Sequence, residues 1–154
     1  MRNFVVFVGL MFCGSSVAAE DVFSEEKLEQ MAVAFIDAKN ARQQPDSDAD
    51  DIEAFLALLA DDFVDEHIKF GVTVTDKSEL RNGMLLKLKD EVFYSRIDIN
   101  QVMVGRNVAF VKYTESAKVK PTHLDKVVEY SSTSIVSLEF NDEGLITHIR
   151  RHHG

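Results

Sequence analysis

The sequence predicts an α+β domain in which three helices precede a four-stranded antiparallel sheet. Apolar residues recur at three- and four-residue steps in three segments before residue 90, which is the spacing of one helix face. From residue 92 onward, β-rich runs alternate with short turns. Such a layout buries one face of a curved sheet under the helices and leaves a conical hollow between them.

The composition is that of one globular domain. The 154 residues are 45% hydrophobic and 28% charged, which is too apolar for a disordered chain. The formal net charge is -9, whereas nucleic acids and anionic membranes attract basic surfaces. We therefore expect no nucleic-acid partner, and no membrane partner once the N-terminal segment is removed.

Residues 1–19 are predicted to form a signal peptide. Arg2 precedes a short apolar run, FVVFVGLMFC, whereas a membrane-spanning helix needs about 20 residues. Val17 and Ala19 supply the compact side chains that signal peptidase requires, which predicts cleavage after Ala19. The protein is expected to be periplasmic or secreted, with residues 20–154 as its mature domain.

Two other interpretations of this segment stay open. The run is rich in β-forming residues, so it could be a buried strand. A lipoprotein anchor would need a small residue before the modified cysteine, and here Phe12 precedes Cys13. Because Cys13 is the sole cysteine, a mature chain cleaved after Ala19 has no thiol for disulfides or metal ligation.

Each predicted helix begins at a residue whose side chain can accept hydrogen bonds from free backbone N–H groups. These capping residues are Ser24, Asp50 or Asp51, and the pair Thr75-Asp76. The second helix is expected to end at Asp61-Asp62 and the third at Leu88. The acidic segment 46–51 lacks the central Gly and distant Glu of a calcium loop, and we interpret it as a solvated linker.

The strands follow from alternation and turn residues. Residues 63–74, which include Gly71, predict a short bent strand or a strand pair. The four long strands are expected at residues 92–104, 107–118, 126–140 and 145–153. Gly105-Arg106 is the predicted first turn, and Gly144 can take the positive φ that closes the last hairpin.

Two segments resemble the nuclear transport factor 2-like superfamily, which includes the SnoaL-like and ketosteroid isomerase proteins. FLALLADDFV (55–64) is similar to its helix-to-strand corner, and LEFNDEGLITHI (138–149) to its last hairpin. The resemblance covers nearly the whole mature chain. It implies a cystatin-like α+β barrel, with a cone-shaped antiparallel sheet of four long strands and a short one. Members are isomerases, cyclases, dehydratases, epoxide hydrolases or binding modules, so the fold alone does not give the function.

The resemblance can be tested at the three catalytic positions of the isomerase-like members. It places His67 at their general-base Asp, Val136 at the protonated acid of their oxyanion hole, and Ala34 or Phe35 at their helix-borne Tyr. Valine, alanine and phenylalanine cannot donate a proton. Steroid double-bond isomerisation by the same mechanism is therefore not expected.

Asp65 and His67 are the predicted catalytic pair. Side chains two apart on a strand share a face, and the resemblance directs this face into the cavity. An imidazole exchanges a proton near neutral pH, and a neighbouring carboxylate can orient it. The alternative is that Asp65 is a surface charge and His67 a hydrogen-bonded residue at the rim.

Five residues are predicted to bind a ligand: Arg151, Tyr130, Ser132, Ser134 and His153. The resemblance directs Arg151 and His153 into the cavity, where Arg151 could pair with Asp65 or hold a carboxylate or phosphate of a ligand. The alternative is a solvated C-terminus. No Gly-x-Ser-x-Gly motif surrounds the serines, so they are expected to be hydrogen-bond partners of a ligand or cross-strand polar pairs.

No metal and no cofactor is predicted. His148, His152 and His153 would lie on both faces of one strand, so their nitrogens would not converge. His123 lies in a loop near Pro121 and is expected to be exposed.

Three functions are compatible with these features. The first is an exported protein that binds a small hydrophobic or carboxylate-bearing molecule without catalysis. The second is an isomerase, cyclase or dehydratase, with His67 as general acid or base, Asp65 orienting it, and Arg151 or a serine steadying an oxyanion. The third is an interaction module that forms a homodimer through its sheet. The sequence leaves open whether the protein is an enzyme.

Overall fold

A computed structural model of the protein describes residues 22–153, so the predicted signal peptide and its cleavage after Ala19 lie outside the described residues. The helices are α1 (Glu25–Ala41), α2 (Ala49–Leu56) and α3 (Lys77–Lys87). The strands are β1 (Leu59–His67), β2 (Val72–Val74), β3 (Glu91–Gly105), β4 (Val108–Lys120), β5 (Val128–Phe140) and β6 (Ile146–His153). The predicted α+β class, with three helices before four long strands, is confirmed.

The strands form one curved, unclosed sheet in the order β2-β1-β6-β5-β4-β3. Strands β3 to β6 are the predicted antiparallel meander. Residues 63–74 contain the predicted strand pair, since β1 and β2 pair antiparallel around a 3-10 turn at Ile68–Phe70. The prediction of an entirely antiparallel sheet is corrected at β1 and β6, which pair in parallel. The long connection between them, which includes α3 and the meander, makes this parallel return possible.

The predicted caps of α1 and α3 are confirmed, whereas the predicted cap of α2 is wrong. Ser24 caps α1, and Asp76 caps α3. Helix α2 begins after Asp48 instead of Asp50 or Asp51. The Asp48 carboxylate accepts hydrogen bonds from both of those backbone N–H groups, and the Asp51 side chain accepts one from the Asp48 N–H. This reciprocal capping box explains why the helix starts earlier than predicted.

The end of α2 also differs from the prediction. The helix ends at Leu56, and Asp61-Asp62 lies within β1 as an exposed pair. Leu59 is buried and pairs with Ile146 of β6. Although its spacing continues the apolar pattern of the helix, this pairing makes Leu59 the first residue of a strand.

Two turns position the ends of the long strands. Gly144 has a φ of +82°, as expected for the closing hairpin, and a Cβ there would lie 3.4 Å from the Met31 Cε. The first turn is shifted by one residue from the predicted Gly105-Arg106. Gly105 ends β3, and Asn107 takes the positive φ of 54°. Asparagine tolerates this left-handed conformation better than most residues.

The core lies between the helices and the concave sheet face. Phe35 of α1 and Phe55 of α2 are fully buried, with ring centroids 5.4 Å apart. Helix α3 packs less closely, since Met84 is buried but Leu80 and Leu88 are only partly covered. The incomplete packing under α3 leaves the hollow described below. Within residues 22–153, no helix is long and apolar enough to cross a bilayer.

Candidate functional site

A cavity of about 630 Å³ lies between the concave sheet face and helices α1 and α3. Every residue predicted for the site lines it: Asp65, His67, Tyr130, Ser132, Ser134, Arg151 and His153. Alternation along β1, β5 and β6 therefore places these side chains on one wall. Their catalytic or binding roles stay predictions.

Asp65 and Arg151 form a buried bidentate ion pair. The Arg151 Nε donates a hydrogen bond to the Asp65 Oδ1 at 2.9 Å, and its Nη2 donates one to Oδ2 at 2.8 Å. Burial opposes the charge of Arg151, but the hydrogen bonds and the negative charge of Asp65 raise its pKa. Bidentate binding of a ligand carboxylate by this fork would require Arg151 to release Asp65.

His67 lies beside this pair, at the rim of the cavity. Its Nε2 is 3.7 Å from the Asp65 Oδ1, which is too long for a hydrogen bond, and its side chain is 33% exposed. Burial and the nearby charge of Arg151 lower the pKa of His67, so the imidazole is neutral at pH 7. The ring centroid of His153 is 6.1 Å away. The alternative that Asp65 is a surface charge is wrong, because Asp65 is buried, whereas His67 does lie at the rim.

A second polar cluster joins α1 to strands β4 and β5. The Lys39 Nζ forms an ion pair with the Glu115 carboxylate, and the Tyr130 hydroxyl donates a hydrogen bond to the Glu115 Oε1 at 3.0 Å. Burial lowers the pKa of Lys39 to about 8 against the opposing effect of Glu115. Burial and the charge of Glu115 raise the pKa of Tyr130, so its hydroxyl stays protonated.

The end of α1 brings two further donors to the cavity. Arg42 caps the helix, and its guanidinium carbon lies 4.7 Å from the centroid of the Phe55 ring. Among the described residues, the Arg42 Nε and the Gln43 Nε2 are buried and have no hydrogen-bond partner. The His153 Nε2 shares this condition. Buried polar atoms without partners are rare, because losing water without a replacement hydrogen bond costs free energy.

The hydroxyl-rich part of β5 divides between the two sheet faces. Ser134 is buried in the cavity wall, and Ser132 lies nearer its open side. On the opposite face, Ser131 contacts Ser116 at 2.8 Å and Thr133 contacts Thr114 at 2.9 Å. Cross-strand polar pairs therefore occur at Ser131 and Thr133, whereas the ligand-binding role of Ser132 and Ser134 stays a prediction.

The positions aligned with the isomerase catalytic groups offer no acid. Val136 and Phe35 are fully buried in the core, and Ala34 is exposed. Tyr113 lines the cavity instead, and burial raises the pKa of its hydroxyl. Whether the protein lacks the steroid isomerase mechanism stays an expectation.

The remaining histidines lie outside the cavity. The His148 Nε2 is 2.9 Å from Glu66, which also contacts the Arg150 Nε at 2.9 Å. His123 lines a separate hollow of about 500 Å³ around Pro121. In the part of the chain that the structure describes, no three His, Cys, Asp or Glu side chains converge as a metal site.

Sequence reasoning missed the cavity residues of α1, β4 and α3. They are Lys39, Arg42, Gln43, Glu115, Glu79, Leu80, Gly83, Met84 and Lys87. Two signals could have found the charged ones. Lys39 and Arg42 continue the apolar spacing of Leu28, Ala32 and Phe35, so they lie on the inward helix face. Glu115 follows Val111 and Tyr113 on the inward face of β4.

Comparison with known proteins supports the architecture. No protein-family model matches the sequence, and no curated protein matches it significantly. A SnoaL-like protein from Shewanella putrefaciens CN-32 shares 12% identity, with a TM-score of 0.67, over 82% of this chain and 89% of its own. An NTF2-like protein from Anabaena variabilis ATCC 29413 shares 13% identity, with a TM-score of 0.64, over 86% and 92%. An LEH-like epoxide hydrolase from M. tuberculosis shares 16% identity, with a TM-score of 0.58, over 81% and 84%. The chain therefore has the NTF2-like cone fold that its sequence predicted.

Proposed function

We propose that this protein is an exported small-molecule-binding protein whose ligand occupies the cavity between the sheet and the helices. The observation that carries the proposal is the cavity itself, whose volume of about 630 Å³ is typical of ligand sites. Its wall includes buried donors with no partner in the described chain. A bound molecule would supply the missing acceptors, which favours binding over an empty structural hollow.

The ligand is proposed to have an apolar body and a carboxylate. Val74, Leu80 and Met84 give the wall an apolar part. Cations outnumber carboxylates among the lining residues, although the whole chain has a net charge of -9. The cations are Lys39, Arg42, Lys87 and Arg151, and the carboxylates are Asp65, Glu79 and Glu115. A local excess of positive charge favours an anionic ligand.

Export is proposed from residues 1–19, and the location is periplasmic or secreted. The test is the mass of the protein recovered outside the cytoplasm of an expressing bacterium, which should begin at Glu20. Ala19→Leu, which places a larger side chain at the cleavage site, should retain the precursor mass. Recovery of the full-length chain in the cytoplasm for both forms would contradict export.

Gly83 offers a way to test cavity binding. It lines the cavity from α3, and a Cβ at this position meets nothing within 4 Å. Gly83→Trp should therefore fill the hollow, whereas Gly83→Ala leaves most of it open. We expect native mass spectrometry to show a retained or added small molecule on the wild type and Gly83→Ala but not on Gly83→Trp. Binding that is unchanged in Gly83→Trp would place the ligand elsewhere.

A second candidate is an isomerase-, cyclase- or dehydratase-type enzyme that uses His67 as general acid or base. The observation that favours it is the neutral imidazole on the cavity rim, 3.7 Å from Asp65. Asp65 would orient the ring, and Ser134 or Arg151 would steady an oxyanion. His67→Ala should then reduce turnover or ligand affinity more than His123→Ala, which changes a loop histidine. Equal effects of the two substitutions would show that His67 takes no part in binding or catalysis.

A homodimer through the sheet is the third proposal. The outer face exposes Met103, Phe110 and Ile135, which β-sheet pairing brings near one another, with Lys112 opposite Ile135. Exposed apolar side chains that cluster in this way favour association. Analytical ultracentrifugation at micromolar concentration should show a dimer that Phe110→Lys weakens. A monomeric mass for the wild type would exclude it.

A further inference from the structure

We propose that Arg42 and Gln43, at the end of α1, form the receptor for the ligand's carboxylate, and that the ligand is a monocarboxylate with an apolar body. The inference rests on the proposed function, because it assumes that the cavity binds a small molecule. It assigns the anion to residues other than Arg151, the arginine that the sequence had favoured for this role.

The ion pairs within the cavity single out Arg42. Lys39 is paired with Glu115, and Arg151 with Asp65. Lys87, at the other side of the cavity, is 3.8 Å from Asp90. Among the described residues, no carboxylate is close enough to the Arg42 guanidinium to form an ion pair with it. Its positive charge is therefore the uncompensated one on this wall.

The unpaired hydrogen-bond donors point to the same place. The Arg42 Nε and the Gln43 Nε2 are buried, belong to consecutive residues, and have no acceptor in the described chain. Both groups are N–H donors, so the missing partner is an acceptor. A carboxylate offers two planar acceptor oxygens, which suit a guanidinium and an adjacent amide. Both residues line the cavity that the ligand would occupy.

The charge surroundings favour a monoanion over a phosphate. Burial lowers the pKa of Arg42 to about 10, so the side chain is still protonated at neutral pH. The carboxylates of Glu115 and Asp65 act electrostatically on Arg42, but each is already paired with another cation, Lys39 or Arg151. This group of side chains therefore has one cation in excess, which matches one negative charge on the ligand. The apolar wall around Leu80 and Met84 would hold the rest of the molecule.

A structural role for Arg42 predicts the opposite stability change. Its guanidinium packs on Phe55, so a purely structural arginine should lower the melting temperature when it is replaced. An uncompensated, partly desolvated charge instead destabilises the empty protein. Arg42→Met keeps an unbranched side chain against Phe55 and removes the charge, so it should leave the melting temperature unchanged or raise it.

The experiment is isothermal titration calorimetry of the mature protein with octanoate and with octanamide, its uncharged analogue. Arg42→Met is compared with Arg150→Met, which removes the same charge from the outer sheet face beside Glu66. We expect the wild type and Arg150→Met to prefer octanoate by about tenfold or more, as a charge-assisted hydrogen bond provides. Arg42→Met should lose the preference while still binding octanamide. Gln43→Leu should reduce it and serves as a second variant if Arg42→Met does not fold.

The outcomes separate this inference from the proposed function. Equal binding of octanoate and octanamide by the wild type, blocked in Gly83→Trp, would overturn the carboxylate receptor and keep the cavity as a binding site. A preference for octanoate that persists in both Arg42→Met and Gln43→Leu would assign the anion to other residues. Absence of octanoate binding to the wild type would overturn the inference, and octanamide binding that Gly83→Trp leaves intact would overturn the proposed function.

Discussion

Arg151 of β6 donates two hydrogen bonds to Asp65 of β1, although its direct neighbour across the parallel strand pair is His67. The side chain thus reaches diagonally along the cavity wall, at a point where both partners are almost fully buried. This contact joins the only parallel strand pair in residues 22–153, and it holds the positive charge of Arg151 next to His67. Its removal affects both the sheet and the electrostatics of the site.

Breaking this pair on one side should strongly destabilise the protein. Arg151→Met leaves the Asp65 carboxylate buried without its partner, which in other proteins costs about 3–5 kcal/mol. Urea unfolding of Arg151→Met should therefore show a large loss relative to Arg150→Met, whose ion pair with Glu66 is partly exposed. Equal unfolding free energies for the two variants would show that the buried pair does not stabilise the fold.

Stability should fall on acidification, in part through His67. The folded-state pKa of His67 is below its ordinary value of 6.5, so the unfolded chain binds this proton first. Above about pH 7 both states are neutral and the effect is absent, and below it the folded state loses relative stability. The pKa of His153 is lowered too, by burial and by the charges of Lys69 and Arg151.

The measurement is the unfolding free energy at about pH 7.5 and about pH 5.5. His67→Gln should lose less stability over this interval than the wild type, while His123→Gln should match the wild type. A larger loss of stability on acidification in His67→Gln than in the wild type would contradict a lowered pKa of His67.

Gly83 is expected to lower the stability of α3 while it leaves space in the cavity. Glycine in a helix interior is less stable than alanine by roughly 0.5–1 kcal/mol, and an added Cβ meets no atom within 4 Å. Gly83→Ala should raise the unfolding free energy by about this amount. Gly144→Ala provides the contrast, because its φ of +82° strains any other residue. A destabilised Gly83→Ala would mean that α3 is displaced from the position described.

The cap of α2 should depend on Asp48 and its reciprocal partner Asp51, and not on Asp46. Asp48 accepts hydrogen bonds from the backbone of Asp50 and Asp51, so Asp48→Ala should cost about 1 kcal/mol. Asp46→Ala, two residues earlier in the same segment, should be near neutral. Thermal unfolding by circular dichroism distinguishes them, and equal melting temperatures would reject Asp48 as the cap.

The sequence predicted the elements well where local chemistry determines them. Ser24, Asp76 and Gly144 act at the helix starts and the hairpin as expected from their side chains or backbone freedom. The errors lie where distant contacts decide. Leu59 continues a helical pattern but pairs with Ile146, more than 80 residues later, and becomes a strand. No local pattern contains that information.

The site shows the same division. Strand alternation placed Asp65 and His67 on one face, and the resemblance directed that face into the cavity, which both residues line. It left open whether Arg151 pairs with Asp65 or holds a ligand, because that contact depends on the parallel register. The donors of Arg42 and Gln43 were missed because these residues follow the apolar stripe of α1, although they line the cavity at the end of that helix.

The most direct test of the central claim is a crystal structure of the mature protein soaked with octanoate. We expect electron density for octanoate inside the cavity, with its carboxylate at Arg42 and Gln43 and its alkyl chain against Leu80 and Met84. Density only at the separate hollow near His123, or side chains that fill the space beneath the sheet, would contradict it.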